Sequence, residues 1–118
     1  MAQMARQKDQ RSNRSECIEY CLHCHALCVE TISHCLQKGG EHAESNHVRL
    51  LEDCAEICQT AANFLLRSSK FYPRTCEVCA EISEKCAESC EKMADDQMLK
   101  ACAELCRKCA ESCRSMAS

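Results

Sequence analysis

The chain has 118 residues, a formal net charge of −3 and 15 cysteines, but no tryptophan, two phenylalanines and two tyrosines. Its length is that of a single domain. The weak charge and scarce aromatic residues exclude a nucleic-acid partner, and no segment approaches the ~20 apolar residues that cross a membrane.

Residues 1–14 form a basic segment ahead of the first cysteine. The segment lacks the apolar region of about 7–15 residues that marks a secretory signal. We therefore predict a basic tail with some helical character, followed by one domain at residues 15–118. We also expect a cytoplasmic location, because thiols stay reduced there.

Turn residues divide the domain into four helical segments. A glycine pair follows Lys38, as is typical of a helix C-terminus, and Pro73 opens the third segment. Asp95-Asp96 separates the last two segments and can cap the fourth. Because the connections are short, we predict an all-α, antiparallel up-down-up-down four-helix bundle. The helices are expected at about 15–38, 43–69, 74–93 and 96–115.

The cysteines recur in steps of about four, three and four residues, which places them on one face of each helix. At 100° per residue, each set falls within a wedge of roughly 60°. Facing each other, the four stripes predict a cysteine-lined core, so we take every thiol as a candidate metal ligand. These are Cys17, Cys21, Cys24, Cys28, Cys35, Cys54, Cys58, Cys76, Cys79, Cys86, Cys90, Cys102, Cys106, Cys109 and Cys113.

A thiol-lined core of this length favours many soft ions over one. Packing alone does not explain fifteen thiols, because leucine fills space better, and helical neighbours fit the disulfide dihedral angle poorly. Zinc sites typically use CxxC pairs on loops, whereas the CxxC pairs here fall within predicted helices. Cu(I) is soft and selects thiolates, and fifteen thiols could hold ~7 ions without sharing or ~15 with bridging. A zinc or mixed-metal thiolate buffer and a thiol/disulfide redox module remain as alternatives.

The chain resembles the bacterial cytosolic copper storage proteins, which are cysteine-rich four-helix bundles. The resemblance extends from about Cys17 to Met116 and is carried by CIEYCLHCHALC, LEDCAEIC, CEVCAEISEKCAESC and ACAELCRKCAESCRSMA. It implies storage of multiple Cu(I) ions by the fifteen cysteines, a cytosolic location and a homotetramer. It also implies a storage protein rather than an enzyme, and no catalytic residue stands out.

The two ends of the predicted bundle differ in composition. At one end Phe64, Leu65, Leu66 and Phe71 are expected to crowd the core and close it. The other end collects histidines and methionines, whose weaker ligands could pass Cu(I) inward. His47 and Met98 fall on the inward face by helical spacing. The candidate uptake ligands are His47, Met98, His34, His42 and Met93, whereas His23 and His25 are expected to be exposed or at a subunit contact.

Overall fold

The computed structural model describes the backbone of residues 2–117 and the side chains of residues 12–117. Within that part of the chain every regular element is helical, and a short 3₁₀ turn at Gly40–Ala43 follows the first helix. None of the described helices has the length and apolar character needed to cross a membrane. The four long helices are α1 at Ala2–Lys38, α2 at Ser45–Leu66, α3 at Tyr72–Glu91 and α4 at Gln97–Ala117.

The predicted up-down-up-down bundle is confirmed. α1 packs against α2 and α4, and α3 packs against the same two helices, so the order around the bundle follows the chain. Cys24 contacts Cys54, whereas the later Cys35 contacts the earlier His47, so α1 and α2 run in opposite directions. The short connections leave this as the natural topology.

Helix bounds differ from the sequence prediction mainly at the first helix. α1 begins at Ala2 rather than near residue 15, so from Ala2 onward the predicted tail is part of the helix. No glycine or proline occurs between residues 2 and 38, and nothing in that segment stops a helix. α2 ends at Leu66 rather than near residue 69, because Ser68 takes a left-handed conformation with φ of 53°.

Local sequence fixes the helix ends near the histidines. The backbone N–H of Gly39 donates to Cys35 O (3.1 Å), and the φ of 71° at Gly39 suits a residue without a side chain. The Glu44 carboxylate accepts from the first N–H groups of α2 and caps that helix. Asp96 caps α4 by accepting from the N–H of Met98 (3.0 Å), as predicted.

The core contains few aliphatic side chains. Leu51, Leu65 and Leu99 are fully buried, and the rest of the core is built mainly from cysteine and alanine. The prediction that Leu66 and Phe71 crowd one end is wrong, because their side chains are 60% and 57% exposed. Both come after Leu65, which is the last buried residue of α2.

Candidate metal centre

All fifteen cysteines point into the bundle. Each is at most 1% exposed, and each is a free thiol. The inward direction follows from the four-three-four spacing, which keeps successive cysteines on one face of a helix. Because all four helices contribute, the thiols from distant parts of the sequence meet along the bundle axis.

Sulfur atoms from different helices lie close together. The Sγ atoms of Cys17 and Cys21 are 3.7 and 3.6 Å from that of Cys113, across the interface of α1 and α4. The Sγ atoms of Cys58 and Cys79 are 3.7 Å apart across α2 and α3. With metal–sulfur bonds of about 2.3 Å, two ligands of one ion lie at most ~4.6 Å apart. These pairs therefore have the spacing of shared metal ligands.

Some thiols form groups in which every sulfur lies within 4.8 Å of the others. Cys24 and Cys113 each belong to two of these groups, and so does Cys109. A thiolate shared between groups can bridge two ions, which favours a continuous array over separate closed sites. The groups are Cys21, Cys79, Cys109 and Cys113; Cys24, Cys28, Cys54 and Cys106; Cys17, Cys76 and Cys113; and Cys24, Cys58 and Cys109.

Ser83 lies at an inward position of α3, where the spacing of the cysteines by three and four residues predicts another cysteine. It is fully buried, and its hydroxyl lies 3.6 Å from Cys54 Sγ and 3.9 Å from the sulfurs of Cys58 and Cys79. A hydroxyl is a much poorer ligand for Cu(I) than a thiolate. Ser83 therefore interrupts the thiol stripe without leaving its polar group unpaired.

A second interruption lies toward the histidine-rich end, where α1 ends and α2 begins. One helical turn beyond Cys28 the inward position of α1 is Thr31, which is fully buried and donates its hydroxyl hydrogen to Leu27 O (2.7 Å). Leu51 and Leu99 are the corresponding inward residues of α2 and α4, and both are fully buried. Non-thiol side chains thus separate Cys35 from the main sulfur array along three helices.

Cys35 and His47 form a mixed sulfur–nitrogen pair at this end. Cys35 Sγ lies 3.5 Å from His47 Nε2, and His47 Nδ1 is hydrogen-bonded to Ser89 Oγ at 2.7 Å. Burial lowers the pKa of His47, which favours the neutral ring with a lone pair for a metal. Burial, aided by the charge of Asp96, raises the pKa of Cys35 to about 11. The prediction that His47 faces inward is therefore correct.

His34 and His42 meet at the carboxylate of Asp96, the residue predicted to cap α4. Asp96 Oδ2 lies 2.7 Å from His34 Nε2 and 3.1 Å from His42 Nε2. Lys38 Nζ is 3.6 Å from the same oxygen. The hydrogen bond from His34 is the main reason why the pKa of Asp96 lies well below its usual range. The sequence signal for this contact was that the predicted bundle places the histidines near the end of α1 and the acidic cap of α4 at the same end.

The remaining candidates divide by position. Met93 is buried, and Met98 is half-buried against the core. His23 is exposed, as expected. His25 packs against α2, where its Nδ1 lies 2.7 Å from Ala55 O, so it is half-buried rather than exposed.

Comparison with known proteins gives closely similar relatives. The curated relative YhjQ of Bacillus subtilis, described as an uncharacterized cysteine-rich protein, is 39% identical over 66 residues. The match spans 56% of this chain and 61% of YhjQ, so it extends over less than two thirds of that relative. The Nmul_A1745 protein of Nitrosospira multiformis is 47% identical, with 91% of this chain and 96% of that chain aligned at a TM-score of 0.85.

Two further structures contain copper by their own descriptions. Cu(I)-bound BsCsp3 of Bacillus subtilis is 38% identical, with 90% of this chain and 99% of that chain aligned at a TM-score of 0.84. A cytosolic copper storage protein of Streptomyces lividans with five coppers is 27% identical to this chain. The alignment includes 91% of this chain and 93% of that chain, at a TM-score of 0.84. A family model described as "Copper storage protein" matches residues 10–118. With that match over nearly its whole length, the chain belongs to the copper storage protein family.

Proposed function

We propose that this protein stores and buffers many Cu(I) ions on the thiolates of its bundle core. The observation that carries the proposal is a core of fifteen buried, free thiols, in which sulfur–sulfur contacts of 3.6–4.0 Å involve cysteines of all four helices. Cu(I) accepts thiolates as its preferred ligands, and the bundle supplies them without exposing them to solvent. The cytosolic location is proposed with it, in line with the Streptomyces relative.

The overlap of the thiol groups favours Cu(I) over zinc. Structural zinc uses closed sets of four ligands, and each ligand commonly serves one ion. Here Cys24, Cys109 and Cys113 are each common to two groups, so separate closed sites would compete for them. With Cu(I), by contrast, a thiolate shared by two groups can bridge two ions, so the overlap is compatible with binding at both groups. The family membership also favours copper over a thiol/disulfide redox module.

The test is an anaerobic titration of the reduced protein with Cu(I) against a strong competing chelator. We expect between ~7 and ~15 tightly bound ions per chain, depending on how many thiolates bridge. A stoichiometry of one or two would overturn the storage proposal. Cys54→Ser tests the sulfur array directly, because it removes a thiol in contact with Cys24, Cys58 and Cys106. Its load should fall, and an unchanged load would remove Cys54 from the ligand set.

We further propose that Cu(I) enters at the histidine-rich end through His47, Met98, His34, His42 and Met93. Cys35 and His47 lie beyond the break at Thr31 and offer the first thiolate met from that side. His47→Ala combined with Met98→Ala should slow Cu(I) uptake while leaving most of the final load. His23→Ala is the matched control, because that imidazole is exposed away from the core. Equal uptake rates for all three proteins would refute the route.

A homotetramer is proposed from the family resemblance and from one exposed apolar stripe. Leu22, Val29 and Leu36 are spaced by seven residues on α1 and are 36%, 48% and 57% exposed. A seven-residue spacing keeps side chains on nearly the same helix face, where a second subunit can cover them. Val29→Glu should shift the mass measured by sedimentation equilibrium toward the monomer. A parent protein that is monomeric at micromolar concentration would disprove the proposal.

A further inference from the structure

His34, His42 and Asp96 form a compact group of one oxygen and two nitrogen ligands at the histidine-rich end. Their ligand atoms all lie within 4.8 Å of one another. The side chains of His34, His42 and Asp96 are 29%, 19% and 10% exposed, so the group is accessible yet largely enclosed. The three residues come from α1, the 3₁₀ turn and the connection between α3 and α4.

The carboxylate of Asp96 is held in place before any ion arrives. Its Oδ1 accepts from the N–H of Met98 at 3.0 Å and caps α4, which leaves Oδ2 facing the two imidazoles. A carboxylate already oriented by such a hydrogen bond loses little freedom on binding a metal. The His34 and His42 rings stand edge to face, with centroids 6.2 Å apart, and direct their Nε2 atoms at the same oxygen.

This ligand set has a different chemical preference from the thiol core. Imidazole suits zinc and other borderline divalent ions, carboxylate suits harder ones, and Cu(I) prefers the sulfur ligands deeper in the bundle. A cavity of about 280 Å³ adjoins the group and is lined partly by His42 and Asp96, so water can complete the coordination. Lys38 is 53% exposed and can turn away from Asp96 when a cation replaces it.

We propose that His34, His42 and Asp96 bind one divalent borderline ion, with Zn²⁺ as the best match, at a site separate from the Cu(I) thiolates. The bound ion links the end of α1 to the 3₁₀ turn and to the start of α4. It also occupies two imidazoles of the proposed Cu(I) route, so Cu(I) uptake is slower while the ion is present. That consequence depends on the proposed route, whereas the binding site does not.

The experiment uses protein loaded with Cu(I), so that the core thiolates are already occupied. Co²⁺ and Zn²⁺ are then titrated anaerobically, and the visible spectrum of bound Co²⁺ reports the ligand type. We expect one added ion per chain, with Co²⁺ d–d bands and no thiolate-to-Co²⁺ charge-transfer band. A charge-transfer band, or no added ion, would overturn the proposed site.

Variants assign the ion to these residues. His42→Gln and Asp96→Asn should each weaken Zn²⁺ binding by at least ~10-fold, and asparagine keeps the helix cap in the second variant. His23→Gln is the matched control and should bind Zn²⁺ like the parent. Equal Zn²⁺ affinity in all four proteins would refute the assignment. None of these changes removes a core thiol. The Cu(I) load is measured before Zn²⁺ is added, so failure of this site is distinguishable from failure of copper storage.

Discussion

Replacing Ser83 by cysteine should extend the sulfur array and raise the Cu(I) load. The serine hydroxyl is fully buried, 3.6 Å from Cys54 Sγ and 3.9 Å from the sulfurs of Cys58 and Cys79. A sulfur atom in its place would have three thiol neighbours at ligand spacing. Because serine and cysteine differ by one atom, we expect the free energy of unfolding of the metal-free protein to change by no more than ~1 kcal/mol.

The added thiol is expected to raise the load by about one ion per chain. Without sharing, fifteen thiols leave one thiolate unpaired and a sixteenth completes a further pair, and with bridging the load rises with the number of thiols. The overlapping groups around Cys24 and Cys113 favour bridging. Titration against a competing chelator, checked by native mass spectrometry, measures the difference from the parent.

The control variant is Ser33→Cys, which makes the same change at an exposed position of α1. It adds a thiol outside the core, so its tightly bound Cu(I) should equal that of the parent. A Ser83→Cys protein that folds normally but loads no more Cu(I) than the parent would refute the inference that the buried array binds the metal. An equal rise in both variants would show that thiol number matters and burial does not.

Three further changes test the packing, the helix cap and the surface charges. Leu51→Ala should lower the free energy of unfolding by about 2–5 kcal/mol in urea denaturation, because it leaves a cavity in a core with only three buried leucines. Asp96→Ala should cost about 0.5–2 kcal/mol by removing the cap of α4, whereas Asp96→Asn should cost less. Because folding lowers the pKa of Asp96, its ionised carboxylate contributes to the free energy of unfolding above about pH 3.9. That contribution is lost as the pH falls through the lower pKa of the folded state. Urea denaturation from pH 6 to pH 2 would detect the loss. Arg107→Ala should cost only about 0.2–1 kcal/mol at low salt, although Arg107 donates two hydrogen bonds to Glu91, because both side chains are more than 40% exposed.

The bundle and its thiol core were predictable because the helical spacing of the cysteines repeats along the chain. Each four-three-four step identifies the same helix face, so an error at one cysteine leaves the assignment of the face intact. The family and its copper-storage function, which the resemblance implied, are confirmed by the match over residues 10–118. Helix bounds were less predictable, since the start of α1 has no stop signal before residue 15.

Side-chain contacts near the helix ends were the least predictable feature. The sequence placed His47 inward correctly, but it gave no indication that Ser89, 42 residues later, would hold the imidazole. It likewise identified His34 and His42 without the carboxylate between them. These contacts depend on how far each helix extends and on how neighbouring helices are offset along the axis.

The sequence by itself determined that the thiols share the inward faces of four helices, because helical periodicity is a local property of the chain. Only the tertiary structure decided which thiols meet, as when Cys17 approaches Cys113 to 3.7 Å. It also decided that Cys35 pairs with an imidazole and that Asp96 joins two histidines. Such contacts join residues far apart in sequence, and their distances are set by helix packing, which no local pattern encodes.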